Sequence, residues 1–371
     1  MSRDFVPIGE VVKSANTGLD AIKRAPIVDR DTGIKCLRIQ DVSQRKKYDN
    51  WGNTEVEKRN FEKFQLKTND IIVARTGASI GVNLIIKENL NSVLNNGLIR
   101  IRVDYEKCHP DYLYYNFRSS TYNDFIESIS GGTSTQPNMQ INALLSYKIN
   151  LPPLEEQKAI ATVLSSLDDK IDLLHRQNKT LEAMAETLFR QWFVEEARED
   201  WEEVPIGGMF EISSGKGIKK EQLDDVGLFP VLGANGEIGR TNDYLYNERL
   251  IFTGRVGTIG NVFIVEGNKV WLSDNTLVFR KIRYFYFVYF FLKVARLADY
   301  NAGSTQPLIR QSDIKEIPVS LPSDVRLNDF EHHANEVFRK IAANNKQIRT
   351  LETLRDTLLP KLMSGEVRVA V

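Results

Sequence analysis

The chain of 371 residues is 42% hydrophobic and 26% charged, so it can form two to four compact units with apolar cores. Its 49 basic residues balance 49 acidic residues, which argues against a protein that binds nucleic acid through overall positive charge. Cys36 and Cys108 are the two cysteines and have no CxxC spacing, so the sequence encodes neither a disulfide framework nor a zinc site. We expect a cytoplasmic protein.

Along the chain, residues 1–152 are expected to be β-rich. Apolar runs at residues 70–74 and 82–86 flank a glycine-bearing turn at residues 77–81, a pattern typical of a hairpin whose glycines adopt positive φ. Residues 99–103 alternate isoleucine or valine with arginine, which predicts a half-buried strand.

The glycine-bearing turn contains Arg75, Thr76 and Ser79, and a second turn with Arg255 and Thr258 resembles it. Glycine lets a backbone approach a ligand closely, so these side chains could contact DNA phosphates or base edges. The alternative is that the glycines only shape a hairpin turn and that the arginines are solvated.

Two polar loops share the sequence Ser-Thr-Gln-Pro, at an offset of 170 residues (304 − 134). Their candidate contact residues are Ser134, Thr135 and Gln136 in the first copy and Ser304, Thr305 and Gln306 in the second. Hydroxyls and amides suit either phosphate contacts or the capping of a following element. With the two glycine-bearing turns, these loops indicate that the chain contains an internal repeat.

Residues 153–197 predict a coiled-coil helix of roughly 60 Å, because apolar residues recur at alternating steps of four and three for more than four heptads. Residues 323–371 repeat this pattern. Each seam contains an asparagine, Asn178 in the first helix and Asn344 in the second. In antiparallel helices the two could pair and fix the register, whereas the alternative is that both are exposed.

No membrane protein is expected. Arg3 and Asp4 begin a segment without the apolar core of a signal peptide. The most apolar run, residues 284–292, is far shorter than the about 20 residues that cross a bilayer. It predicts a buried aromatic helix, and residues 112–117 predict another at the equivalent place in the first half.

The predicted fold class is α+β, with two repeated β-rich domains, a long antiparallel two-helix coiled coil between them and pseudo-twofold symmetry. The predicted domains are residues 1–152, the helix 153–197, residues 198–322 and the helix 323–371. Catalytic motifs are missing: the sequence has no Asn/Asp-Pro-Pro-Tyr/Phe motif, no Walker A loop and no GxGxxG. We therefore expect a protein that reads an extended ligand at two places and does no chemistry. The alternatives are a two-headed scaffold for protein partners and an enzyme with paired catalytic domains.

Several segments resemble the DNA specificity subunit of Type I restriction–modification systems. Residues 151–160 read LPPLEEQKAI and residues 167–172 read LDDKID. Residues 229–236 read FPVLGANG and residues 359–366 read LPKLMSGE, and both are similar to the same family. The second helix departs from the pattern, because residues 323–326 read SDVR and Arg355 interrupts its seam.

This resemblance implies two target-recognition domains that each read one half of a bipartite, asymmetric site in double-stranded DNA. The helices would set the half-site spacing and bind two modification (methyltransferase) subunits, and restriction (translocase and nuclease) subunits would join them. The chain would hold no cofactor, since S-adenosylmethionine, ATP and Mg would belong to the partners. The candidate DNA-contacting residues are Arg38, Arg75, Thr76, Ser79, Ser134, Thr135, Gln136, Lys216, Lys219, Lys220, Asn235, Arg255, Thr258, Ser304, Thr305 and Gln306.

Overall fold

The computed structural model describes residues 5–130, 138–303 and 305–369. The chain forms two compact units: unit 1 is Met1–Leu173 with Gln347–Val371, and unit 2 is Leu174–Lys346. Both boundaries fall inside long helices, so each unit contains a globular part and a portion of each helix. Within the described residues, every helix is too short or too polar to span a bilayer.

The globular part of unit 1 is built mainly from two small sheets. Its strands are β1 (Phe5–Pro7), β2 (Val12–Thr17), β3 (Ile27–Val28), β4 (Lys35–Leu37), β5 (Gly52–Thr54), β6 (Ile71–Ala74), β7 (Asn83–Ile85), β8 (Ser92–Leu94), β9 (Leu98–Val103) and β10 (Lys148–Asn150). Its helices are α1 (Ile39–Ser43), α2 (Lys58–Phe64), α3 (Pro110–Asn116), α4 (Ser120–Ser130) and α5 (Ile141–Leu145). One sheet has the order β2-β9-β6-β7 and is antiparallel, and the other has the order β3-β5-β4-β8 with β4 and β8 parallel.

Strand β6 is apolar throughout because it is covered on both faces. Ile71 and Val73 point into the core that contains α3, whereas Ile72 and Ala74 point into the core shared with the second sheet. Successive side chains of a strand point to opposite faces, so a four-residue apolar run fits a strand between two cores. The predicted hairpin of β6 and β7 is confirmed.

Strand β9 is present as predicted, but the expectation of a half-buried strand is wrong. Arg100 is only 4% exposed, and its guanidinium donates hydrogen bonds to the carbonyls of Lys63 and Gln65 at the end of α2. Arg102 forms an ion pair with Asp70 at 2.6 Å. These partners satisfy the charged face of the strand, so it is covered instead of solvated.

The long helices and the globular part of unit 2 follow in the chain. The first long helix is α6 (Leu154–Arg190), which continues into a π-helical turn at Gln191–Glu195. The strands are β11 (Glu202–Pro205), β12 (Glu211–Ser214), β13 (Phe229–Gly233), β14 (Gly236–Thr241), β15 (Arg249–Gly254), β16 (Val262–Glu266), β17 (Trp271–Leu272), β18 (Thr276–Arg280) and β19 (Pro318–Leu321). The helices are α7 (Phe285–Val294), α8 (Gln311–Lys315) and the second long helix, α9 (Asp324–Ser364).

The strand order of unit 2 repeats that of unit 1, except that the edge strand β3 has no counterpart among the described strands of unit 2. Its antiparallel sheet has the order β12-β18-β15-β16, and its second sheet has the order β14-β13-β17 with β13 and β17 parallel. The pair β11–β19 corresponds to β1–β10. The internal repeat that the sequence predicts is therefore confirmed in the topology of the two globular parts, and α3 and α7 are the predicted core helices.

The two long helices pack antiparallel within each unit. In unit 1, Asp168 of α6 contacts Arg355 of α9, and Asn150, just before α6, donates a hydrogen bond to the carbonyl of Met363. In unit 2, the rings of Phe193 and Phe330 lie 5.1 Å apart. The predicted seam residues of both helices are buried or half-buried, so the heptad pattern is confirmed.

The asparagines of the two seams meet in unit 2. Asn344 is buried, and its amide nitrogen donates a 2.8 Å hydrogen bond to Oδ1 of Asn178. The amide nitrogen of Asn178 in turn donates to Oδ1 of Asn345 at 2.8 Å. A shift of either helix by one turn would leave the buried amide of Asn344 without its partner, so the pair favours a single register.

Replacing both Asn178 and Asn344 with leucine should preserve or raise the free energy of unfolding, because apolar packing replaces a buried polar pair. The same change should relax the register. Spin labels at the exposed positions Lys179 and Ala342 should then give a broader distance distribution than in the parent chain. Labelling would be selective, because Cys36 and Cys108 are buried and burial raises the pKa of each thiol to about 12. An unchanged distribution would contradict the role of the pair.

A carboxylate on α6 anchors the globular part of unit 1 to its helices. Asp168 accepts hydrogen bonds from the hydroxyl of Tyr115 and from Arg118, both near α3, and from Nη1 of Arg355 on α9. Burial raises the pKa of Asp168, but the two arginines and the tyrosine outweigh that effect and lower it below its ordinary value. Arg355, which interrupts the apolar seam, therefore has an ionic partner.

Unit 2 has a similar anchor built from other positions. The carboxylate of Glu182 on α6 accepts hydrogen bonds from the hydroxyl of Tyr289 at 2.7 Å and from Nζ of Lys293 at 2.8 Å, and both donors lie on α7. In each unit a tyrosine and a basic residue thus fix the core helix of the globular part to α6.

We expect Asp168→Asn to destabilise the protein by about 1–3 kcal/mol in urea unfolding, because two half-buried arginines lose their counter-charge. The folded pKa of Asp168 is depressed, so its contribution is full above the unfolded pKa, near pH 4, and is lost as the pH falls through the folded value. The difference from the parent chain should therefore be constant from pH 5 to 7 and shrink below about pH 4. Asp169→Asn is the matched control, since Asp169 is exposed, and it should have little effect at any pH.

Candidate nucleic-acid interface

In unit 1, the Arg75 turn lies against the chain that follows the first Ser-Thr-Gln-Pro loop. The backbone N–H of Arg75 donates to the carbonyl of Gly97 at 2.9 Å, and its carbonyl accepts from the N–H of Met139 at 2.8 Å. Nε of Arg75 also donates to the carbonyl of Met139 at 3.1 Å, and Thr76 forms a bridge with Asn138. Two motifs about 60 residues apart in sequence are therefore neighbours.

Unit 2 repeats this arrangement. The N–H of Arg255 donates to the carbonyl of Asn275 at 2.7 Å, and its carbonyl accepts from the N–H of Ile309 at 3.0 Å. Gly257 donates to the carbonyl of Pro307 at 3.0 Å, next to Thr305 and Gln306, which are exposed. In contrast to Arg75, the half-buried Arg255 side chain has no hydrogen bond or ion pair with any described residue.

The glycines of both turns adopt the positive φ that the sequence predicts. Gly77 and Gly81 have φ of 70° and 85°, and Gly257 and Gly260 have φ of 79° and 96°. L-residues with a side chain rarely adopt this conformation, so these glycines shape the turns. The structural interpretation of the glycines is confirmed, and it leaves the neighbouring polar side chains available for contacts.

Further candidates of unit 2 lie on loops that adjoin the Arg255 turn. The N–H of Lys216 donates to the carbonyl of Leu272, just before the segment that binds Arg255. Gly215 is required there, because a Cβ atom would lie 2.2 Å from the carbonyl oxygen of Ser273. Lys216, Lys219 and Lys220 are exposed, and none of them forms an ion pair with a described residue.

An amide network connects another loop to the same turn. Asn235, in the tight turn between β13 and β14, donates to Oγ1 of Thr258 at 2.9 Å and accepts from Nδ2 of Asn261 at 3.3 Å. We call the connected loops the loop surface of unit 2. It comprises residues 215–220, 233–236, 255–261, 272–276, 301–303 and 305–309. Its side chains are mainly amides, hydroxyls and cations, the groups that hydrogen-bond to phosphates and base edges.

Unit 1 has a corresponding loop surface at residues 75–81, 94–97 and 138–140. Thr76 and Ser79 are half-buried there.

Arg38 is engaged within the fold, because its Nε donates to Oδ2 of the buried Asp41 at 3.0 Å. The sequence did not single out Asn261, whose role depends on a contact with the distant Asn235. The candidates Ser134, Thr135, Gln136 and Ser304 lie outside the described residues.

Comparison with known proteins identifies the family to which this chain belongs. A family model described as the Type I restriction modification DNA specificity domain matches residues 4–183 and 198–348. The chain belongs to this family. It is thus a non-catalytic specificity subunit, whose family role is DNA sequence recognition. The alternatives of a protein scaffold and of an enzyme with paired catalytic domains are not favoured.

Individual relatives agree with the family. The MjaIX specificity subunit of Methanocaldococcus jannaschii is 29% identical over 343 residues, covering 80% of this chain and 78% of the relative. The MjaVIII specificity subunit of the same organism is 24% identical over 345 residues, covering 81% and 80%. The crystal structure of the S subunit of a Type I restriction–modification system from M. genitalium shares the fold, with a TM-score of 0.61 at 20% identity over 98% of this chain and 96% of that one.

The amide network of this specificity subunit can be tested directly. Asn235→Ala removes the donor to Thr258 and the acceptor for Asn261, so the turn at residues 255–261 loses its side-chain support. We expect amide hydrogen exchange in this turn to increase about tenfold, while the global free energy of unfolding falls by at most about 1 kcal/mol. Asn242→Ala, which also removes one donated hydrogen bond (to Asp224) and one accepted hydrogen bond (from the N–H of Leu228) elsewhere in unit 2, is the control. Unchanged exchange in residues 255–261 would contradict the proposed support.

Proposed function

We propose that each unit reads one half of a bipartite, asymmetric site in double-stranded DNA through its own loop surface. The observation that carries this proposal is the repeated contact between the arginine turn and the residues that follow the Ser-Thr-Gln-Pro motif, made in unit 1 at Arg75–Met139 and in unit 2 at Arg255–Ile309. One arrangement presented twice suits a ligand that is contacted twice. The neighbouring side chains differ between the copies, for example Lys216 in unit 2 against the buried Leu19 in unit 1, which supports two different half-sites.

The contacts divide into two classes in this proposal. Lys216, Lys219, Lys220 and Arg255 contribute phosphate contacts, which supply affinity and salt dependence. Amide and hydroxyl groups such as those of Asn235 and Gln306 contribute base-edge hydrogen bonds, which supply sequence discrimination. Local positive charge on loops is sufficient for this role in a chain of zero net charge.

We further propose that α6 and α9 set the half-site spacing and bind two modification subunits, which restriction subunits then join in the cytoplasm. S-adenosylmethionine, ATP and Mg would be bound by those partners. The support is the length of the helices, 37 residues for α6 and 41 for α9, together with their antiparallel packing within each unit. Helices of roughly 55 and 60 Å are long enough to act as a spacer on duplex DNA.

The test is to express this chain with its modification subunits and to map adenine methylation across the host genome. One split motif with two different halves is the expected result. Inserting one heptad into α6 and one into the facing part of α9 lengthens the helices by about 10 Å, which equals about three base pairs of duplex. The half-sites should stay the same, and the spacer between them should grow by about that amount.

The control insertion places seven residues in the exposed turn at Tyr105 of unit 1, outside both helices. It should leave the spacer unchanged. If the heptad variant methylates the parent motif with the parent spacer, the helices do not set the spacing. If no split motif is methylated at all, the proposed reading of two half-sites is wrong.

A further inference from the structure

The two globular parts differ at one connection that belongs to their loop surfaces. In unit 2, β13 and β14 are joined by Ala234 and Asn235 alone. In unit 1, the equivalent pair β4 and β5 is joined by residues 38–51, which include α1 and a 3-10 turn at Tyr48–Asn50. A connection of 14 residues (51 − 37) thus takes the place of a two-residue turn.

This connection lies beside the Arg75 turn. Gly97, whose carbonyl binds the N–H of Arg75 at 2.9 Å, packs closely against Ile39 of α1, since a Cβ atom at Gly97 would lie 2.4 Å from Cδ1 of Ile39. The N–H of Asn95 donates to the carbonyl of Leu37, the last residue of β4, at 3.0 Å. The start of connection 38–51 therefore packs against the segment whose Gly97 carbonyl binds the backbone of Arg75.

Several contacts link residues within the connection. The buried carboxylate of Asp41 is 3.0 Å from Nε of Arg38 and 3.4 Å from Nζ of Lys46. Nε1 of Trp51 donates to the carbonyl of Lys46 at 2.9 Å. Two of the four basic residues of the connection, Arg38 and Lys46, thus form ion pairs within the fold. The other two, Arg45 and Lys47, are exposed and form no ion pair with a described residue.

The backbone of Arg45 adopts a conformation that glycine would suit better. Its φ is +48°, and it lies one residue beyond Gln44, the C-cap of α1, where the N–H of Lys46 returns to the carbonyl of Asp41 at 2.9 Å. Glycine is the usual left-handed residue at such a helix end, since side chains are disfavoured there. The backbone hydrogen bonds at this helix end do not require an arginine side chain, so the exposed guanidinium is available to a ligand.

We propose that connection 38–51 is a DNA-backbone clamp that unit 1 has and unit 2 lacks, in which Arg45 and Lys47 bind phosphates. This inference rests on the proposed function. It assigns the pair to affinity and not to base reading, because two exposed cations without an ion-pair partner, in a connection whose start packs against the segment that binds Arg75, suit phosphate oxygens. The connection carries four basic and two acidic residues, a net charge of +2, against none in the unit 2 turn.

The test uses the full chain with its modification subunits and a duplex that carries the methylated motif. Arg45→Gly with Lys47→Ala should lower affinity at 150 mM salt by about tenfold and reduce the slope of log affinity against log salt by about two. The methylated motif should stay the same. Arg45→Gly alone should reduce the slope by about one and leave the thermal midpoint equal or higher, because it relieves the left-handed backbone.

Lys281→Gly is the matched control. Lys281 is also a basic residue with positive φ, at +49°, but it follows β18 at the sheet end away from the loop surface and pairs with Glu211. Its salt slope should equal that of the parent chain. The inference is overturned if the double variant keeps the parent slope, or if its methylated motif changes. If the parent complex binds the motif and a scrambled duplex equally, the proposed function fails instead.

Discussion

Each unit depends on an apolar core that its globular part cannot complete alone. In unit 1, Ile160 and Leu164 of α6 and Leu359 and Leu362 of α9 belong to the core that contains α3. In unit 2, the aromatic helix α7 packs with residues of both long helices, including Phe189 and Phe330. Because burial of this surface is the main favourable term in folding, the loop surfaces are held on the same body as the helix portions of their unit.

In both units a carboxylate on α6 binds the globular part to that helix, but the polar partners of the carboxylate differ. Asp168 accepts hydrogen bonds from a tyrosine and two arginines in unit 1, and Glu182 accepts hydrogen bonds from a tyrosine and a lysine in unit 2. The apolar frame and strand order are repeated, whereas ionic partners and loops have diverged. This division suits a protein in which the scaffold is shared and the surface that meets the ligand is specific to each copy.

Patterns that are local in sequence predicted much of this structure. The heptad seams, the glycine turns and the duplicated strand order follow from periodicity, from positive φ and from repeated motifs. The burial of Arg100 was not predictable, because its partners are carbonyls at Lys63 and Gln65, more than 30 residues away. The position of connection 38–51 likewise depends on tertiary contacts, whereas the pairing of Arg38 with Asp41 is local, because the two residues are three apart at the start of α1. A sequence pattern identifies a cation but does not show whether the fold already uses it.

The arginine turns are fixed mainly through their backbones. In both units the N–H and the carbonyl of the arginine are bound by main-chain groups on two neighbouring segments. Those bonds form with any residue but proline, so the side chain at the arginine position can be exchanged without losing them. Under the proposed function, a single substitution in such a turn changes a contact with DNA while the backbone bonds that position the turn stay the same.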